Sequence, residues 1–236
     1  MIGASPGSAT RNSLVLLAFD IYGTVIDPGG IAAELRRSFA ERAPLAAQLW
    51  RSKQLEFTFR RALMRRYADF DTCTAQALDW LGAQLGVPLD ETVKHDLLRA
   101  YRALPPFPEV EAALASLRDS GHRPIALTNG THHSVGALLE RAGIAHYFDT
   151  VLSADAIRTF KPDPAVYELA RQEARAHDGE VWLVSGNPFD VIGAKAAGLA
   201  AAWVRRDAAV VFDPWEYQPD VVVQDLGALC DALPRG

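Results

Sequence analysis

Leu14-Val15-Leu16-Leu17-Ala18-Phe19-Asp20-Ile21-Tyr22-Gly23-Thr24 begins as an unbroken apolar run, stops at a carboxylate and passes into a glycine turn. A short apolar run without alternation reads as a strand buried on both faces, which is the pattern of a parallel sheet. Similar runs follow at residues 124–127, 181–184 and 201–204, with a fifth candidate at 221–223. Helical periodicity lies between them at 134–142, 164–176 and 189–197, and Pro164 suits the first turn of its helix. Strand–helix alternation of this kind predicts an α/β fold, a doubly wound, Rossmann-like parallel sheet with helices on both faces.

The stretch 29–104 is different. It carries helical patterns at 46–67, 74–85 and 91–104 and no convincing strand, and Pro105, Pro106 and Pro108 mark the return to the sheet. The expected organisation is a flexible N-terminus at 1–12, an α/β core built from 13–28 and 105–236, and a helical unit at 29–104 inserted after the first strand. Open parallel sheets bind ligands beyond the carboxyl ends of their strands. Here those ends carry Asp20, Thr128 with Asn129, and Ser185 with Asn187. A helical unit above that edge would close the site as a lid.

The bulk properties narrow the field. The 236 residues are 49% hydrophobic and 22% charged, enough for a substantial core, and the formal net charge is −5. A mildly acidic chain is a poor binder of nucleic acid, whose phosphates demand clustered Lys and Arg. The run Arg60, Arg61, Arg65, Arg66 is the one candidate patch and reads more simply as a solvated helix face. Cys73 and Cys230 are too few and too far apart for a disulfide framework or a metal knuckle. No stretch has the length of a membrane span or of a signal-peptide core, so a soluble, cytoplasmic protein is expected, with no membrane partner. The six histidines form no spaced set, and His132 and His133 fall at a helix start.

Asp20 alone reads as a capping or turn aspartate. At a strand end it reads also as a carboxylate held by N–H donors and able to attack an electrophilic centre. Thr128-Asn129-Gly130 brings a hydroxyl and an amide suited to an anion. Lys161, before Pro162-Asp163-Pro164, is placed to neutralise the aspartate and a bound carboxylate together. Ser185-Gly186-Asn187-Pro188-Phe189-Asp190 leaves a strand and enters a helix with Asp190 in its first turn. Each element is weak alone. In this order, at strand ends, together they are specific.

These four elements resemble the motifs of the haloacid dehalogenase superfamily, whose fold is a doubly wound core with an inserted helical cap. The resemblance spans about 16–233. It extends to the cap segment Leu49-Trp50-Arg51-Ser52-Lys53-Gln54-Leu55-Glu56-Phe57-Thr58 with Arg66-Tyr67-Ala68-Asp69-Phe70, which is similar to that of the L-2-haloacid dehalogenases. Two positions separate this subfamily from the phosphatases. Tyr22 stands where a phosphatase carries an acid for its leaving oxygen, and halide needs no proton to leave. Asn187 stands where a phosphatase carries an acidic Mg2+ ligand.

The resemblance implies roles. Asp20 would attack C2 of a short L-2-haloacid, expel halide and form an ester that water hydrolyses to a D-2-hydroxy acid. Arg51, Asn129 and Phe189 match the halide-binding positions; Arg51 shares a largely apolar helix face with Ala47, Leu55 and Phe59, although a lone helical arginine otherwise reads as surface. Thr128 and Lys161 match binders of the substrate carboxylate. Tyr22, Leu55 and Phe70 match pocket walls and read equally as core packing. Asp190 with Asn187 would position or activate the water. Thr24, Ser185 and Tyr167 match supporting polar positions, Tyr167 reading also as a helix–sheet contact. No metal and no cofactor is implied, and a homodimer is. The pattern usually has a second serine where this chain has Gly186, which removes a hydroxyl and frees the backbone. Other readings are a related carbon-centred hydrolase acting on a 2-fluoroacid or azetidine-2-carboxylate, a phosphatase of the superfamily, and a catalytically silent fold that binds a partner.

Overall fold

The computed structural model describes residues 15–175 and 180–233. The flexible segment expected at 1–12 lies outside the described residues. Six parallel strands form one sheet in the order β3-β2-β1-β4-β5-β6, with β1 Val15–Phe19, β2 Arg123–Thr128, β3 Val151–Ser153, β4 Glu180–Ser185, β5 Ala200–Val204 and β6 Val221–Val223. The opening run becomes a central strand, paired on one side with β2 and on the other with β4. That explains its lack of alternation, since both its faces are covered. Val15, Leu17 and Phe19 pack into one layer, with α5 (Val110–Asp119) and α6 (His132–Arg141). Leu16 and Ala18 pack into the other, against α7 (Pro164–Arg175) and α8 (Pro188–Ala196). From β1 the chain builds outward to β2 and β3, then crosses to β4 on the opposite side. The carboxyl end of β1 is therefore a topological switch point, the place where open α/β sheets hold ligands.

Helices α1 (Ala32–Phe39), α2 (Ala43–Met64), α3 (Phe70–Leu85) and α4 (Glu91–Tyr101) follow β1 before the chain returns to the sheet. The two crossings lie side by side: the Asp27 N–H donates to Pro105 O at 3.0 Å, the Phe107 N–H to Val25 O at 3.0 Å, and Ile26 bridges Pro106. This two-stranded neck sits where the prolines placed the return. The insertion touches the sheet edge through Ser134 Oγ, which donates to Asp71 Oδ2 at 3.0 Å, and Tyr67 OH, which donates to Asp155 Oδ1 at 2.5 Å. The long helix ends earlier than its periodicity suggests, at Met64, because Arg65 takes a left-handed conformation with φ +54° and caps it. The last of the inserted helices likewise stops at Tyr101 instead of running to Leu104. Among the described residues no helix is long and apolar enough to cross a membrane.

Candidate active site

Asp20 follows β1, and its backbone N–H continues the ladder to Val184 O at 3.0 Å. The chain then folds back sharply: the Val25 and Ile26 N–H groups both donate to Ile21 O, and Gly23 adopts φ +93°, where a side chain would be strained. The turn aims the carboxylate into a ring of donors. Thr24 Oγ1 donates to Asp20 Oδ2 at 2.9 Å, Asn187 Nδ2 to the same oxygen at 2.7 Å, and Lys161 Nζ to Oδ1 at 3.2 Å. Asp20 is 8% exposed, so these donors act where water screens them little. The donors are themselves held. Gly186 N–H donates to Thr24 Oγ1 at 2.8 Å, and the Asn187 N–H donates to the buried Ser185 hydroxyl at 3.1 Å.

Lys161 is 1% exposed and lies between two carboxylates, reaching Asp190 Oδ2 at 2.9 Å as well as Asp20. Burial would lower its pKa, but the facing charges of Asp190 and Asp20 outweigh that and raise it, so the ammonium persists. Its second partner within the chain is thus Asp190, a contact not read from the sequence. Asp190 is fully buried in the first turn of α8. Burial raises its pKa above the ordinary carboxylate value against the pull of Lys161. A raised basicity is what a group that takes a proton from water requires. Tyr167 OH donates to Asp190 Oδ1 at 2.8 Å and to its carbonyl at 3.1 Å, which places this tyrosine inside the polar network. It fits because Gly193 of α8 has no side chain; a Cβ there would lie 2.4 Å from the Tyr167 hydroxyl.

The opposite wall combines the insertion with the strand ends. Arg51 of α2 donates from Nη2 to Tyr22 O at 3.1 Å and from Nη1 to Gln54 Oε1 at 2.8 Å, and no ion pair involves it among the described residues. The Tyr22 ring lies between Phe70, at 5.5 Å, and Tyr101, stacked at 5.6 Å. Burial raises the pKa of the Tyr22 phenol, so it remains neutral. Asn129 Oδ1 accepts the Lys161 backbone N–H at 2.7 Å, which leaves its amide N–H2 as the free end. Thr128 Oγ1 accepts the Gly130 N–H at 3.0 Å and keeps its own proton to donate. Phe189 meets Phe59 edge-on at 5.1 Å, and both line an apolar cavity of about 690 Å³ that also reaches Lys161. Leu55 is half-buried on the Arg51 side of α2.

Gly186 departs from its expected role. Its backbone is not freer; it is pressed against the nucleophile's turn, and a Cβ on it would lie 2.3 Å from Gly23 O. Other supporting residues escape the sequence. Arg206 donates to Thr24 O at 2.7 Å and pairs with Glu109, bracing the nucleophile's turn from the end of β5. Gln54, Tyr101 and Gly193 also act here. Their one legible trace is the three-residue spacing of Gln54 from Arg51.

The comparisons show the family and the fold. The family model of haloacid dehalogenase-like hydrolases matches residues 15–198. The (S)-2-haloacid dehalogenase H-109 of Pseudomonas putida is 36% identical over 217 residues, 92% of this chain and 96% of that protein. The (S)-2-haloacid dehalogenase of Xanthobacter autotrophicus is 40% identical over 190 residues, 80% of this chain and 74% of that one. A solved structure of L-2-haloacid dehalogenase from Xanthobacter autotrophicus with chloropropionic acid covalently bound superposes with a TM-score of 0.83 at 35% identity, covering 92% of this chain and 96% of that one. With the family model spanning most of the sheet and the relatives spanning the inserted helices too, the chain belongs to the haloacid dehalogenase-like hydrolase family.

Proposed function

We propose that this chain hydrolyses short L-2-haloacids to D-2-hydroxy acids through an ester on Asp20. An Asp20 carboxylate oxygen attacks C2, the C–O bond forms as the carbon–halogen bond breaks, and halide leaves with both bonding electrons and inversion at carbon. Arg51, the Asn129 amide and the Phe189 ring edge offer positive potential to that anion. The Thr128 hydroxyl takes the substrate carboxylate, and Tyr22, Leu55 and Phe70 wall its alkyl group. Water, giving one proton to Asp190, then attacks the ester carbonyl carbon; the acyl–oxygen bond breaks, the departing alkoxide takes the proton of the new Asp20 carboxyl to become the hydroxy acid, and Asp190 passes its proton to solvent, so that both carboxylates are regenerated. Lys161 holds Asp20 and Asp190 in place throughout, with Thr24, Ser185, Asn187 and Tyr167 fixing the donors.

The observation that carries this reading is that Asn187 turns an N–H donor onto Asp20 at 2.7 Å. A phosphatase needs an oxygen ligand for its cation there and an acid where this chain has Tyr22. The site's resident positive charge is Lys161, so the reaction written above requires no metal or cofactor. The test is chloride release from L- and D-2-chloropropionate, with and without EDTA. Release from the L-isomer alone, unaffected by EDTA and reduced at least about a thousandfold in an Asp20→Asn variant that remains folded, is expected. Mg2+-stimulated release of p-nitrophenol from its phosphate, with no chloride from either isomer, would overturn it.

In this reading 29–104 is a cap over a core formed by 13–28 and 105–236, and the protein is a homodimer. Exposed apolar side chains support the dimer: Leu63 and Met64 close α2, and Trp215 lines the same cavity as Leu63. A monomer mass by light scattering at micromolar concentration would count against it.

A further inference from the structure

We propose that Gln54 is a positioning residue for halide capture, a neutral acceptor that aims the Arg51 guanidinium into the cleft without cancelling its charge. The inference rests on the reading of Arg51 as a halide-binding residue given above. Gln54 has no solvent exposure, although it is an uncharged polar residue in the middle of a 22-residue helix. Burying an amide without partners is costly, and this one is fully used. Its Oε1 accepts from Arg51 Nη1 at 2.8 Å and from Tyr101 OH at 3.0 Å, while its Nε2 donates to Thr74 Oγ1 at 2.5 Å.

The direction of that chain is determined. Thr74 donates its one proton to Phe70 O at 2.8 Å, so its oxygen must accept from Gln54. The NH2 end of the amide is thereby fixed toward Thr74, and the carbonyl end is forced toward Arg51 and Tyr101. One side chain thus fixes two walls of the cleft, because Tyr101 stacks on Tyr22 at 5.6 Å. The other acceptor on Arg51 is the Tyr22 carbonyl, at 3.1 Å, which is also neutral. A carboxylate at position 54 would hold the guanidinium as firmly, but would compete with an incoming halide for its field. The choice of amide over acid is what a site for a leaving anion requires.

Gln54→Glu separates this role from simple packing, because it preserves shape and the acceptor for Arg51 and gives up only the donor to Thr74. Gln54→Met, which keeps the length and removes the acceptor, and Arg51→Met run beside it. Chloride binding is read by chlorine NMR line broadening, which needs no turnover, with kcat and KM for L-2-chloropropionate and melting temperature for each variant. Gln54→Glu is expected to lose some stability with its donor to Thr74 yet remain folded, bind chloride about tenfold or more weakly and lose kcat/KM to match. Gln54→Met is expected to lose chloride affinity as well. Wild-type chloride binding and kcat/KM in Gln54→Glu, with binding lost in Arg51→Met, overturn the role of Gln54 alone. Undiminished chloride binding in Arg51→Met overturns the halide reading of Arg51 itself. If Gln54→Glu unfolds, Gln54→Met decides: chloride binding at the wild-type level in that variant overturns the proposal.

Discussion

At the scale of single residues, the close approach of two backbones governs the site as much as its charges do. Gly186 stands where the dehalogenase pattern usually carries a serine, and the change looks from sequence like a lost hydroxyl. In the fold the Gly186 N–H donates to the Thr24 hydroxyl at 2.8 Å, and a Cβ there would come within 2.3 Å of Gly23 O. No rotamer relieves that contact, because its partner is main chain. Restoring serine must therefore move the turn that carries Asp20 or the one that carries Asn187. Gly186→Ser is expected to destabilise the fold by about 1–3 kcal/mol, the usual range for overpacking, and to slow chloride release through the displaced donors. Urea midpoints and kcat measured side by side check this. A serine variant with wild-type stability and turnover would show that the two turns separate without cost. Lys161 makes a related point: the sequence places a cation near Asp20, but only the fold shows that Asp190 is its second partner.

At the scale of elements, what the sequence reveals depends on how many residues report the same fact. The central strand and its neighbours were legible because each is a contiguous apolar run. The site was legible because its residues sit directly at strand ends, one step from that signal. Helix α5 carries a stripe of Val110, Ala113, Leu114 and Leu117, but it directly follows the proline-rich return, which masks where a helix could begin. Helix α1 buries only Leu35 and Phe39 among charged neighbours, and β3 is a three-residue edge strand; neither offers enough turns or alternations to register. Helix α2 is the instructive case. Ala47, Arg51, Leu55 and Phe59 share the face that reads as apolar from the sequence. The fully buried stripe instead runs through Ala43, Ala46, Trp50, Gln54 and Thr58. The stripe with Arg51 is half-buried because it borders the cleft. Gln54 was illegible as a core position because its polarity is satisfied by partners far away in sequence, Thr74 and Tyr101, and Thr58 because its hydroxyl turns back onto its own helix at Leu55 O. Periodicity ranks residues by hydrophobicity and cannot see those partners.

At the scale of the whole molecule, the buried triad Asp20–Lys161–Asp190 ties the central strand to the helices on one face of the sheet, so its ionisation is coupled to global stability. The facing carboxylates raise the pKa of Lys161 beyond the ordinary 10.5, after outweighing the lowering effect of burial. A lysine whose pKa is higher folded than unfolded contributes stability that is complete below 10.5 and is lost as pH rises through the folded value. Asp190 acts oppositely: burial raises its pKa above 3.8, so its ionisation in the fold costs stability as pH rises past that value. Removing the lysine exposes this second term. In Lys161→Met two carboxylates face one another in a buried site without a cation, and the loss at pH 7 is expected to be about 3–5 kcal/mol. One carboxylate then recovers its stability by binding a proton, so the variant gains stability as pH falls toward 5, more steeply than wild type does. The gap between the two urea midpoints should narrow steadily from pH 8 to pH 5. A gap that stays constant over that range would mean that the two carboxylates do not sense each other, and that Lys161 supports the fold by packing rather than by charge.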